Sequence, residues 1–528
     1  MMEDVVDAYL AHRFRWRPVD ATFMGAPGHD DRLPPVGPDL IAAERDENAA
    51  LATRVAAAEG LHPHDRSVLL SDLEVERANL SARPRQHNPA WYTGEAAFGL
   101  ISLLLPQSEP WRREAIGARI AAIPAFLQAG AAELAGRAVP AGWVARARAE
   151  AAALADFLRS DIALHPGFHA GWRCAAAATA FDSFVAALDG LPDADPACGA
   201  AHLAFLFKTQ HMLDITPDEA VEAAHAAFAR NTDELVAMAR AIDPETPWQD
   251  QIAALSQIGP KTPDAVLDHY RALDAAARDA AEDAGLVTPE RAYGLDYRVF
   301  PDWAAKLAGA TYFLFYRSPP GLIPGQGSVY WVARPGADLS AHSTAMVKTI
   351  HAVHHGSIGH HTQNAAARRV PSRLGRIAGT DCAMGIAFQG ALTLIEGWAC
   401  HVEDLLIEAE GFYTPAEVLL LKSFERRNAA SVLVDVNLHS GRWSQAEAAR
   451  FYAEEAGFAP ARVQAEVVRN SMFPASRATY WLGVEGIRAL RRRWQGSTAD
   501  FHDRLISFGH VPLSLVADEM TRAGQLRA

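Results

Sequence analysis

Sulfur is scarce in this sequence. Cys174, Cys198, Cys382 and Cys400 are the only cysteines in 528 residues, with no CxxC spacing among them. That usage excludes a disulfide scaffold or a thiolate zinc site and suggests a reducing cytoplasm. Long hydrophobic runs are missing too. The most apolar windows, AAFGLISLLLP and CAMGIAFQGALTLI, are bounded by polar residues and fall short of the roughly 20 residues a membrane-spanning helix needs, so no membrane is expected as a partner. The opening MMEDVVDAYLAHRF is acidic and amphipathic, unlike the basic-then-apolar pattern of a secretory signal. Positive charge is in deficit, the formal net charge being −14, and no Lys/Arg block is interleaved with aromatics. Nucleic acid is therefore not an expected partner. No low-complexity tract is long enough to argue for disorder, so the chain is expected to fold throughout.

What is abundant is helical patterning. Across 110–190 apolar positions recur at intervals of three and four, as in RARAEAAALADFLRSDIAL, the period of an amphipathic helix. TPDEA at 216 and TPAEV at 414 place Thr as cap and Pro at the first helical position. Between about 293 and 337 aromatics, Gly and Pro concentrate, and SVYWVA reads as a short strand. These features predict a mainly α-helical, two-lobed chain. A helical N-terminal lobe would span 1–290 and a catalytic lobe 291–528, with a small β element at about 295–335 beside the site. A homodimer is the default oligomeric expectation.

Five histidines crowd into HAVHHGSIGHH, residues 351–361, with no acid among them. In an HExxH helix two histidines at i and i+4 ligate zinc, and the intervening glutamate takes a proton from the attacking water. Here His351 and His355 are four apart and His354 and His361 seven apart. Gly356 and Gly359 weaken a regular helix and permit a bulge, so spacing alone leaves the ligand pair open. Downstream, in LIEGWACHVEDLL, Glu396, Cys400 and Glu403 fall on one helical face. Two imidazoles plus a later carboxylate make the donor set of an open catalytic metal site.

HHGSIGHH (354–361) and EGWACHVE (396–403) resemble the HExxPGHH and EGWALYAE motifs of the bacterial domain-of-unknown-function-885 family, which is similar to zincin metallopeptidases. The resemblance extends through WRPVDATFMGAPGHDDRLP, YWVARP, VLVDVNLHSGRWSQAEA, FPASRATYWLG and FHDRLISFGHVPLSL. It implies His354, His360 and Glu396 as metal ligands, with His361 the rival to His360. Glu403 would orient a ligand imidazole, and Tyr480 would stabilise charge on a substrate oxygen. By the same resemblance, GSVYWVAR would act as an edge strand receiving extended substrate, with Tyr330 in contact with it. The family pattern also marks departures: His355 replaces the glutamate base, Ile358 the proline, and Val436 and Asn437 alter DTGLH. Ala475, Ser476 and Arg477 alter PGQA, which makes Arg477 a candidate clamp for a substrate carboxylate.

The expected cofactor is one divalent metal, zinc first and iron or another transition metal next. The expected activity is that of a metal-dependent hydrolase-like or lyase-like enzyme on a small molecule, with His355 moving the proton. The alternatives are a metallopeptidase or amidohydrolase of short peptides, and a non-catalytic metal or ligand binder.

Overall fold

The computed structural model describes residues 4–105, 109–311, 316–323 and 325–527. Parts of the expected β element, residues 312–315 and 324, lie outside the described residues. The chain is mainly helical with one small three-stranded sheet, as the periodicity predicts. Both Thr-Pro signals open long helices, Pro217–Ile242 and Pro415–His439. Each has a reciprocal capping box in which Thr216 or Thr414 pairs with a glutamate three residues on, satisfying donors that helix starts otherwise leave free. The Ala-rich stretch forms helices Arg113–Leu134, Ala141–Arg159 and Cys174–Ala187. Among the described residues Arg113–Leu134 alone is long and apolar enough to cross a membrane. Here it turns Ile116, Ile120, Ile123 and Leu127 into the protein core.

One apolar cluster draws on residues from Val6 to Leu526 and includes Val353, Ile358 and Trp398. Burial of this kind is the main favourable term in folding, and it ties the histidine segment to both ends of the chain.

The strands are β1 (Leu295–Val299), β2 (Tyr316–Arg317) and β3 (Ser328–Val332), in the order β1-β3-β2. β3 runs parallel to β1, pairing Tyr297 with Tyr330, and antiparallel to β2, pairing Tyr316 with Tyr330. The edge role expected of GSVYWVAR is therefore corrected: its strand is the middle one, and all five of its residues are buried. Continuous burial on both faces is what a central strand requires. Tyr330 is fully buried, with its hydroxyl paired to His351 Nδ1, so it presents no surface to a substrate.

Candidate metal centre

The histidine segment bulges. Val347–His354 is a π-helix, and its wide turns continue to the His355 N–H, which donates to Ile350 O, five residues back, at 3.1 Å. Such bulges recur at functional sites because they re-aim side chains. A tight turn then leads into helix His360–Ala367. Gly359 is required there: a Cβ on it would stand 1.9 Å from His354 O. One on Gly356 would stand 2.1 Å from Ala352 O. The turn is held from outside by Trp398, whose indole N–H reaches Ile358 O at 3.2 Å and Gly359 O at 3.1 Å. Asp274 secures the same turn by accepting from the Ser357 N–H at 2.9 Å and the Ser357 hydroxyl at 2.5 Å.

Helix Leu392–Leu405 supplies the carboxylates. It crosses helix Ala478–Arg493 at a pair of glycines, where a Cβ on Gly483 would lie 2.2 Å from Thr393 O and one on Gly397 would lie 2.8 Å from Gly483 backbone. This close approach brings Tyr480 near enough to Glu396 to help hold its carboxyl ionised. The EGW triplet thus combines a donor, a helix crossing and a clamp on the histidine turn.

His354 Nε2 and His360 Nε2 lie 3.6 and 3.7 Å from the same atom, Glu396 Oε2. Those separations exceed hydrogen-bond length, and Oε2 is buried without a hydrogen-bond partner. Tetrahedral donors at zinc–ligand distances of about 2.0–2.2 Å stand about 3.3–3.6 Å apart, so each imidazole stands close to the spacing that a shared ion would set against Glu396. The donors that converge most closely are His354, His355 and His360, and His354, Cys400 and Glu403, each set within 4.8 Å of one another. On their far sides His354 Nδ1 meets Glu403 Oε1 at 2.6 Å and His360 Nδ1 faces Gln363 Oε1 at 3.4 Å. These contacts leave each Nε2 lone pair for the ion. The Gln363 amide is itself anchored by Leu394 O at 3.1 Å.

His355 belongs to the cluster: its donor atoms and those of His354 and His360 lie within 4.8 Å of one another. Its Nδ1 is buried without a partner, and its ring stacks over Tyr316 at 6.2 Å. His361 does not converge with them. Its two nitrogens are engaged by Ser328 Oγ at 3.1 Å and Tyr293 O at 2.6 Å. Arg477 is buried in an ion pair with Glu466, and its guanidinium carbon lies 5.1 Å from the Tyr480 ring centre.

Metal binding needs neutral imidazoles and an ionised carboxylate, a condition that His355, His360 and Glu396 meet and that His354 meets only by giving up a proton to the ion. Burial pushes His360 down to about 4 and His355 well below its ordinary range. For Glu396 burial acts upward but is outweighed by His354, His360 and Tyr480, which hold its carboxyl down at about 2. Burial and the neighbouring Glu396 push the Tyr480 hydroxyl up to about 12, so it stays a donor. For His354 burial acts downward, but Cys400, Glu396 and Glu403 raise it well above the ordinary value.

The sequence reading did not find Gln363, Trp398 or Asp274. Gln363 carries a signal, standing three residues after His360 on one helical face. Asp274 is 83 residues from Ser357 and carries none.

Residues 18–520 match the family described as "Bacterial protein of unknown function (DUF885)". Among the solved structures that share the fold is one described as "a putative lipoprotein of unknown function from Shewanella oneidensis", 16% identical, with a TM-score of 0.75 over 98% of this chain and 99% of that one. Another, described as "the putative lipoprotein from Colwellia psychrerythraea", is also 16% identical, with a TM-score of 0.76 over 98% of each chain. No curated protein matches. Lipid chains anchor proteins to membranes, so the cytoplasmic location inferred from cysteine usage is corrected on these two likenesses. Scarce cysteine excludes a disulfide scaffold but does not fix a compartment.

Proposed function

The chain belongs to the bacterial family DUF885, matched over residues 18–520, and from that premise we propose a metal-dependent enzyme acting on a small molecule or short peptide. The observation that carries this reading is the buried, unpartnered Glu396 Oε2 facing two imidazole Nε2 atoms at 3.6 and 3.7 Å. These separations are near those of two donors sharing one cation, and the oxygen has no hydrogen bond that would account for its burial. A divalent cation held by His354, His360 and Glu396, zinc by its donor set with iron the next choice, would supply Lewis acidity at the reacting oxygen.

The chain's own residues would do the rest. Glu403 fixes the His354 ring and Gln363 the His360 ring. His355 stands where zincin-like relatives carry a glutamate base. Kept neutral by burial, it has a lone pair to accept a proton and then return it to a leaving group. Tyr480 remains a hydrogen-bond donor beside Glu396, available to charge growing on a substrate oxygen.

The test is assay of the zinc-loaded protein against small acids, amides, lactones and dipeptides. Turnover should vanish on chelation and return with metal; turnover that survives metal removal overturns the reading. His355→Glu separates the two substrate classes. A large rise in dipeptide cleavage marks a small-molecule enzyme that has left peptide chemistry, and little change marks a peptidase using His355 as base. The proximity of the His355 donors to those of His354 and His360 favours one further reading, a nitrogen-rich closed site that binds metal without turnover. X-ray absorption showing three imidazoles and no exchangeable position would support it.

A further inference from the structure

A cavity of about 410 Å³ lies between the N-terminal helices and the segments that lead into the metal centre. None of the metal-site donors lines it, but two stretches of chain lead from its wall to them. Ala391, on the wall, immediately precedes the helix that carries Glu396, about 7.5 Å farther on at 1.5 Å per residue. Pro474, on the wall, begins the PASRATY stretch that ends at Tyr480.

Four arginines line the cavity, and three are neutralised. Arg13 lies 3.4 Å from Asp72 and 3.5 Å from Asp20. Arg17 lies 2.6 Å from Glu76, and Arg85 lies 2.6 Å from Glu44. Among the described residues no carboxylate lies within ion-pair distance of the fourth, Arg83. Its guanidinium donates to Ser471 O at 2.9 Å and lies 5.5 Å from the Trp143 ring centre, with Nη1 buried and unpartnered. Its neighbour Cys198 offers no countercharge, because burial pushes that thiol up to about 11. Arg83 as a whole is half-buried, and a partly desolvated cation without an anion beside a cavity leaves room for the anion to arrive with a ligand. The apolar part of the wall includes Trp91, Trp143 and Phe388.

We propose that this cavity is the substrate pocket and that Arg83 receives the carboxylate of a small acid with an apolar body. The proposal rests on the metal-enzyme reading for the word substrate; the binding site itself does not depend on it. The carboxylate could be a free organic acid or the C-terminus of a short peptide, since both present the same group to a guanidinium. The preference for acid over amide would come from the unmatched charge, and Trp91 and Trp143 provide a fluorescence signal.

The experiment titrates the intact protein with N-acetyl-phenylalanine, its C-terminal amide and 3-phenylpropionate, with and without chelator. The acid should bind at least about tenfold more tightly than its amide, equivalent to about 1.4 kcal/mol. Arg83→Gln should abolish that preference and Arg83→Lys should keep part of it. Tighter binding of N-acetyl-phenylalanine than of 3-phenylpropionate identifies the peptide source, and the reverse identifies the free acid. Equal affinity for acid and amide, or a preference that persists in Arg83→Gln, overturns the proposal. Chelation should leave binding unchanged; loss of binding on chelation places the carboxylate on the metal and also overturns it. A protein that carries no metal yet still prefers the acid defeats the enzyme reading alone. Urea midpoints check that Arg83→Gln is folded, since it gives up the hydrogen bond to Ser471 O. If that variant fails to fold, the acid-to-amide ratio of the parent and of Arg83→Lys decides.

Discussion

At the scale of single residues, the centre depends on what stands behind the donors as much as on the donors. Glu403 meets the far nitrogen of His354 at 2.6 Å and so fixes which nitrogen faces Glu396. Glu403→Gln should weaken metal affinity by about 10–100-fold, measured by competition with a chromophoric chelator, while Glu396→Gln removes a donor and should abolish stoichiometric binding. A second residue-scale prediction concerns pH. Burial alone would raise the Glu466 carboxyl, but Arg477, Arg462 and Arg469 outweigh it and hold the group down at about 2. A folded-state value below the unfolded one means that the stabilisation is complete above pH about 4.5 and is lost as pH falls through about 2. Glu466→Gln strands the buried Arg477 and should cost about 3–5 kcal/mol at neutral pH. Urea melts at descending pH should show the gap to the parent narrowing below pH about 4.5 and unchanged above it.

At the scale of elements, the Gly397–Gly483 crossing sets the position of Glu396 relative to Tyr480. Gly483→Ala would drive a methyl against Thr393 O, 2.2 Å away, and must separate the helices or bend one. It should cost about 1–3 kcal/mol and reduce metal occupancy, read by thermal melts and elemental analysis of the same preparations. The elements also show what was legible in the sequence. Helix starts at Thr216 and Thr414, and the strand in SVYWVA, were readable because caps and β-branched or aromatic runs are local signals. The donors were readable as a group because they sit in two short motifs. The choice between His360 and His361 was not, because the helix breaks at 355–359 and restarts at His360, which defeats counting by fours. β3's place in the middle of its sheet was also hidden, because its partner β1 ends 29 residues before it begins and strand order has no local code. Arg83 carried no signal at all: its significance lies in the absence of a carboxylate, which only the tertiary arrangement reveals.

At the scale of the whole molecule, the two sides of residue 290 are built into each other. The apolar cluster from Val6 to Leu526 spans them, and so do polar contacts. Asp65 accepts from the Ser372 hydroxyl at 2.6 Å and the Leu374 N–H at 2.9 Å, and Arg83 reaches Ser471 O. Residues 1–290 and 291–528 expressed separately should therefore each lack a cooperative unfolding transition, and mixing them should restore helical signal and metal binding, followed by circular dichroism and elemental analysis.

More than half of the residues on the cavity wall, from Arg13 to Met212, come from the N-terminal part of the chain, whereas every donor of the centre lies between His354 and Glu396. A change in the first hundred residues can therefore alter the cavity without touching a donor. Chimeras that exchange the first hundred residues between relatives would inherit a new appetite while keeping the same teeth.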